Sequence, residues 1–156
     1  MSVFISHRST DSLLAMNIYG CLTRKGIECY IDKLDPNISP DNATKVILDN
    51  LGRCTHLIAV ISASTAESWW VPFEIGVATE KENRIASYNS QSLSLPQYLG
   101  MWPIMRSMDD LEKFASLYSL DKRVLIQQSK VHEANTTNVR TAVDFHNQLK
   151  FKLGQR

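Results

Sequence analysis

Residues 62–82 read SASTAESWWVPFEIGVATEKE and follow the apolar run THLIAVIS, residues 55–62. Leu57–Ile61 is an unbroken apolar run of strand length, the pattern of a strand covered on both faces. The chain then turns through small and polar residues and opens a helix. Pro72 is tolerated only in a helix's first turn, so the spacing predicts a helix from about Ser68 to Glu82. Trp70 and Glu74 stand one helical turn apart and share a face. Glu74 falls near the helix N-terminus, where partial positive charge favours a carboxylate. A strand that hands over to such a helix points to an open α/β sheet, whose ligands bind beyond the carboxyl ends of the strands.

Near the N-terminus, Val3–Ser6 is a short apolar run that reads as the first buried strand. His7–Asp11 is a polar loop. Leu13, Leu14, Ile18 and Leu22, with Ala15 and Cys21, follow helical spacing, and Gly26 after Arg24-Lys25 is a helix stop. Ile27, Cys29 and Ile31 alternate as a second strand. Residues 33–42, KLDPNISPDN, are a loop by composition, and Pro40 suits the first turn of the next helix. Val46, Ile47, Leu48 and Leu51 form that helix's apolar face. Arg84–Tyr88 reads as a fourth strand, and the segment from Tyr98 to Met105, which holds Pro103, as a short edge strand. A helix opens near Met108 with Phe114, Ala115 and Tyr118 on one side. Val124–Ile126 fits strand or helix. Thr136 or Thr137 is expected to cap a final amphipathic helix within 130–156. The order predicts one domain over 1–156, a doubly wound, mostly parallel three-layer α/β sheet.

Composition supports this class. The 156 residues are 44% hydrophobic and 21% charged, with net charge +1, as in ordinary globular domains. No basic field points to nucleic acid, and no apolar run approaches the roughly 20 residues that span a bilayer. The first ten residues lack the pattern of a secretory leader. The three cysteines, Cys21, Cys29 and Cys54, show no zinc or redox spacing, so reduced, buried thiols in a cytoplasmic protein are expected.

The candidate residues each carry two readings. Glu74 is either a solvated helix carboxylate or a reactive group set among Trp69, Trp70, Val71, Phe73 and Ile75. Of the paired tryptophans, at least one is expected inside. His7 follows the first strand and is either a ligand or base or an exposed loop histidine. His56, His132 and His146 show no metal spacing. Asp11 reads as a helix cap. Asp32 and Asp35 flank the loop after the second strand, where turn chemistry is the simpler account. Ser6 and Ser62 follow strands, where a hydroxyl can reach a sugar or phosphate. The glycine fingerprint of a dinucleotide fold and the P-loop are both missing, as is a serine-hydrolase elbow.

Taken together, VFISHRSTD, GIECYIDKLD and LIAVISASTAESWWVPFEIGVA resemble the Toll/interleukin-1 receptor (TIR) domain family, with a flavodoxin-like sheet. The likeness is strongest over 3–88 and is to the bacterial stand-alone type. It implies cleavage of NAD+ at the nicotinamide–ribose bond, by hydrolysis or by cyclisation to an ADP-ribose isomer, with a role in anti-phage defence. It maps the family's catalytic glutamate onto Glu74 and its pocket aromatic onto Trp70. Ser6, His7 and the loop that begins at Asp32 would bind substrate, with no metal and no cofactor beyond NAD+ as substrate. It also implies self-association through residues 33–42, a neighbour's loop completing the pocket, and an effector that senses a nucleotide product. Pro36-Asn37 departs from the tip that signalling receptor domains carry, against receptor-type docking.

Chemistry makes a single carboxylate sufficient. Ordinary glycosides need an acid for the leaving oxygen and a second carboxylate. The pyridinium of NAD+ leaves as neutral nicotinamide, so no proton is donated, and only the cation-like ribose needs stabilising. Two other readings remain open at this level. One is a non-enzymatic interaction module. The other is a nucleoside deoxyribosyltransferase-like enzyme, which would exchange bases on deoxynucleosides and ignore NAD+.

Overall fold

A computed structural model describes residues 1–31, 40–130 and 140–155. Five strands form one sheet in the order β2-β1-β3-β4-β5: β1 Val3–Ser6, β2 Cys29–Ile31, β3 His56–Val60, β4 Arg84–Tyr88 and β5 Ile104–Met105. Every pairing is parallel. The helices are α1 Ser12–Arg24, α2 Pro40–Arg53, α3 Trp70–Glu80, α4 Met108–Lys130 and α5 Ala142–Lys152. From β1 the chain moves out to β2 and then back across to β3. The switch point therefore lies between the carboxyl ends of β1 and β3, where Ser6 pairs with Ala59.

The unbroken apolar runs are explained by two cores, one on each face. Val3, Ile5, Ile58, Val60 and Ala86 pack with α1, α4 and α5. Their alternating neighbours Phe4, Leu57, Ala59 and Ile85 pack with Ile47 and Leu51 of α2 and Val71, Ile75 and Ala78 of α3. Successive strand residues point to opposite faces, so a strand buried on both needs no polar positions. Gly26 ends α1 with φ of 72°, a backbone state that glycine adopts without strain.

Several expectations need correction. α3 begins at Trp70, not Ser68, because Ala63–Glu67 forms a separate 3-10 turn. Ser62 caps that turn in a box with Thr65, and Ser68 is extended, which breaks the helical path. Val124–Ile126 is helix, part of the 23-residue α4. α5 is capped by Thr141, whose side chain exchanges hydrogen bonds with Asp144. Thr136 and Thr137 lie outside the described residues. Only Cys54 of the three free thiols is buried; Cys21 and Cys29 are half-buried. Burial still pushes the Cys29 thiol up to about 12, which keeps it an unreactive thiol.

The far side of the sheet is held by polar anchors. Asp121 of α4 is buried and accepts from Arg84 Nε at 2.7 Å, while Arg140 Nη1 makes a 2.9 Å ion contact with its other oxygen. The edge strand β5 is two residues long. Its Ile104 N–H donates to Gln155 Oε1 at 3.0 Å, and Gln155 Nε2 donates to the Ile104 carbonyl at 2.6 Å. Among the described residues, no helix is long and apolar enough to cross a membrane.

Two histidines, His56 buried and His146 half-buried, carry a pH dependence. His146 Nε2 accepts the Ile85 N–H at 2.8 Å, which requires a neutral ring. Burial, then Lys150 and Arg84, lowers its pKa from 6.5 to about 4. His56 is packed against Phe114, Tyr118 and Phe145, and burial holds it well below 6.5. Both therefore bind a proton in the unfolded chain before they do in the folded one. Stability is full above about pH 6.5 and declines as pH falls toward about 4. Urea midpoints measured across that window should fall with pH. His146→Gln, whose carbonyl can still accept from Ile85, should reduce the slope.

Candidate active site at the carboxyl ends of β1 and β3

The sheet brings two stretches to one edge: the loop after β1, with Ser6 and His7, and the turn after β3 that leads into α3. Ser6 is fully buried, and its Oγ has no hydrogen-bond partner. Parallel strand pairing fixes its backbone, so its hydroxyl is held at the switch point. His7 is half-buried; Nδ1 has no hydrogen-bond partner, and Nε2 sits 3.5 Å from Ser12 Oγ. An unsatisfied buried hydroxyl is uncommon and costs free energy unless something pairs with it.

A hydrogen-bond network joins the two loops. Ser62 Oγ donates to Asp11 Oδ2 at 2.7 Å, and Ser64 Oγ reaches the same oxygen at 3.4 Å. Thr10 Oγ1 and Ser64 Oγ are 2.8 Å apart. The Arg8 guanidinium donates to the Ser64 carbonyl. Asp11 thus does not cap α1 through its side chain, as the sequence suggests. Its carboxylate turns across the loop to a partner 51 residues away. Arg8 escaped the sequence reading because its partner, too, is distant in the chain; being the one basic residue in the loop was its only signal.

On α3 the inward positions are Val71, Glu74, Ile75 and Ala78. Glu74 is only 2% exposed, which rules out the solvated-carboxylate reading. Glutamate is almost never this buried unless it is paired. Trp70, one turn earlier, is 38% exposed and meets Phe73 edge to face at 5.9 Å. Trp69 is 90% exposed, so neither tryptophan is core. The helix phase explains this, because Val71, Ile75 and Ala78 already occupy the side facing the sheet. Asp32 and most of the 33–42 loop lie outside the described residues. Among the described residues, no cluster of three or more side chains could hold a metal ion.

The family model for the TIR domain matches residues 3–96, more than half of the chain. The chain belongs to the TIR domain family. This TIR domain is 23% identical over 117 residues to the "Probable 3' cyclic ADP-D-ribose synthase ThsB'" of Bacillus cereus (strain MSX-D12), an alignment covering 65% of this chain. The chain spans 58% of the length of that curated relative. In structure it is similar to the TIR domain of the Toll-related receptor TRR-2 from Hydra magnipapillata, with a TM-score of 0.57 and 16% identity. That similarity covers 82% of this chain and 97% of the receptor domain, and it shows the shared fold.

Removing the Asp11 carboxylate should free the two loops from each other. Asp11→Ala is expected to destabilise the domain by about 1.5–3 kcal/mol, the range for hydrogen bonds to a charged group. Amide exchange should quicken at Ser64 and Thr65, the residues of the capped turn, and remain slow in β3.

Proposed function

We propose that this TIR domain cleaves NAD+ at the bond between nicotinamide and ribose. The observation that carries the reading is the burial of Glu74, in the TIR-like pattern, on a helix that starts beyond the carboxyl end of β3. In the proposed reaction the C1′–N bond breaks and its electron pair leaves with nicotinamide, which departs neutral. Positive charge develops on the ribose, and the Glu74 carboxylate stabilises it electrostatically. Trp70 offers a flat apolar surface to a ring and displaces water. The hydroxyl of Ser6 and the ring of His7 bind the sugar side of the cleft, with the loop from Asp32 closing it.

Two captures of the ribosyl cation balance. Water attacks C1′ and loses a proton to solvent, giving ADP-ribose. A nucleophile within the same molecule attacks instead and loses its proton, giving a cyclic isomer. The Bacillus cereus relative is named for a cyclic product, which favours the second capture here, with the product acting as a signal in anti-phage defence in the cytoplasm. The exposed Trp69, with Trp70 and Phe73 beside it, favours self-association, in which the 33–42 loop of a neighbour completes the cleft.

Nicotinamide release from NAD+, followed chromatographically, tests the reading. Glu74→Gln, with thermal unfolding unchanged, should lower the rate by about 100-fold or more, as removal of one electrostatic stabiliser does elsewhere. Absence of release from the wild-type domain at high concentration would refute it. Mass spectrometry of the product distinguishes ADP-ribose from a cyclic isomer. If assembly completes the cleft, specific activity should rise with protein concentration in step with light scattering. A strict monomer with constant specific activity contradicts that part.

A further inference from the structure

A cavity of about 370 Å³ lies between the first turns of α3 and the segment 93–99. Its floor is buried and includes Val71, Ile75 and Leu99, while Pro72, Pro96 and Tyr98 form an exposed rim. The space is open to solvent at its rim and lined mostly by apolar side chains. It is about two and a half times the roughly 150 Å³ of an apolar cavity that holds benzene, and it falls in the lower range of ligand pockets, about 300–1,000 Å³.

The lining restricts what can enter. Among the described residues, no charged side chain lines the cavity, and Glu74 is not part of it. Of the four hydroxyl-bearing residues that line it, Ser94 and Tyr98 are exposed and the hydroxyls of Ser62 and Thr65 are already engaged. Ser62 Oγ donates to Asp11, and Thr65 Oγ1 accepts the Ser62 N–H at 2.9 Å and donates to the Val60 carbonyl. A phosphate or carboxylate placed here would lose its water with no counter-charge in return. The diphosphate of NAD+ is therefore unsuited to this cavity. The Tyr98 ring at the mouth offers a flat surface, which suits a planar molecule better than a branched one.

We propose that this cavity is a binding site for a small, uncharged, planar aromatic molecule of about two-ring size, separate from the cleft of Glu74. A bound molecule would bridge the first turns of α3 to the 93–99 segment, two elements that the cavity holds apart. The proposal does not depend on NAD+ cleavage.

Indole serves as the uncharged probe and indole-3-acetate as its charged counterpart. Each is titrated into the full chain and followed by backbone amide NMR. Saturable shifts with indole, centred on Val71–Ile75 and Leu93–Leu99, are expected, with indole-3-acetate weaker by about tenfold or more, a difference of about 1.4 kcal/mol. Leu95→Trp places a large ring in the space from a half-buried position, and Ala63→Phe does so from an exposed one. Each should abolish indole binding while the melting temperature holds or rises. Four results would each overturn the proposal. They are no saturable shift up to the solubility of indole, shifts centred elsewhere, equal binding of the charged probe, or full binding in both filled variants.

Discussion

β1 and β3 lie side by side with both faces covered, and that double burial constrains everything at their carboxyl ends. A strand with no exposed face cannot slip in register without driving an apolar row into the wrong core. Ser6 is held beside Ala59 by this constraint, and the loops that leave the two strands begin from fixed points. The Asp11 network then ties those loops together across the switch point. A rigid sheet edge with a polar strap over it is a suitable base for a site that must hold a sugar still while a bond lengthens.

The same burial accounts for what the sequence made legible. Leu57–Ile61 and Val3–Ser6 read as strands because both faces demand apolar residues, and the parallel order followed from the alternation of strands with helices. The face shared by Trp70 and Glu74 was legible from spacing alone. The start of α3 was not, since Ser62 and Thr65 build a turn of their own before the helix. Nor was the role of Asp11. A cap and a cross-loop acceptor use the same residue type, and only the folded chain brings Ser62 to it. Val124–Ile126 was ambiguous because three apolar residues fit either period; the continuation of α4 decides it. Exposure of both tryptophans was missed because size and apolarity argue for burial, while the helix phase had already assigned the inward positions.

Polar groups inside this domain are few and each has a distinct position. Asp121 gathers Arg84 and Arg140 and so joins α4, β4 and the approach to α5. His146 spends its lone pair on a strand N–H, and His56 fills a gap among three aromatic rings. These groups stand away from the Asp11 strap and serve the architecture. Glu74 differs from them in lying on α3, the helix that leads away from the switch point, and the proposed chemistry rests on that placement.

The open side of β5 has a further implication. Parallel sheets normally end in a row of donors and acceptors that invites another chain. Here a single carboxamide, that of Gln155, occupies one such pair by imitating a peptide group. This blunting uses neither lysine nor proline and carries no charge, so salt should not loosen it. It is also small enough to be displaced. A peptide backbone arriving at that border must evict Gln155 from Ile104 and Asp110 from the Arg106 N–H to continue the ladder, so the boundary of the domain is a stopper rather than a wall.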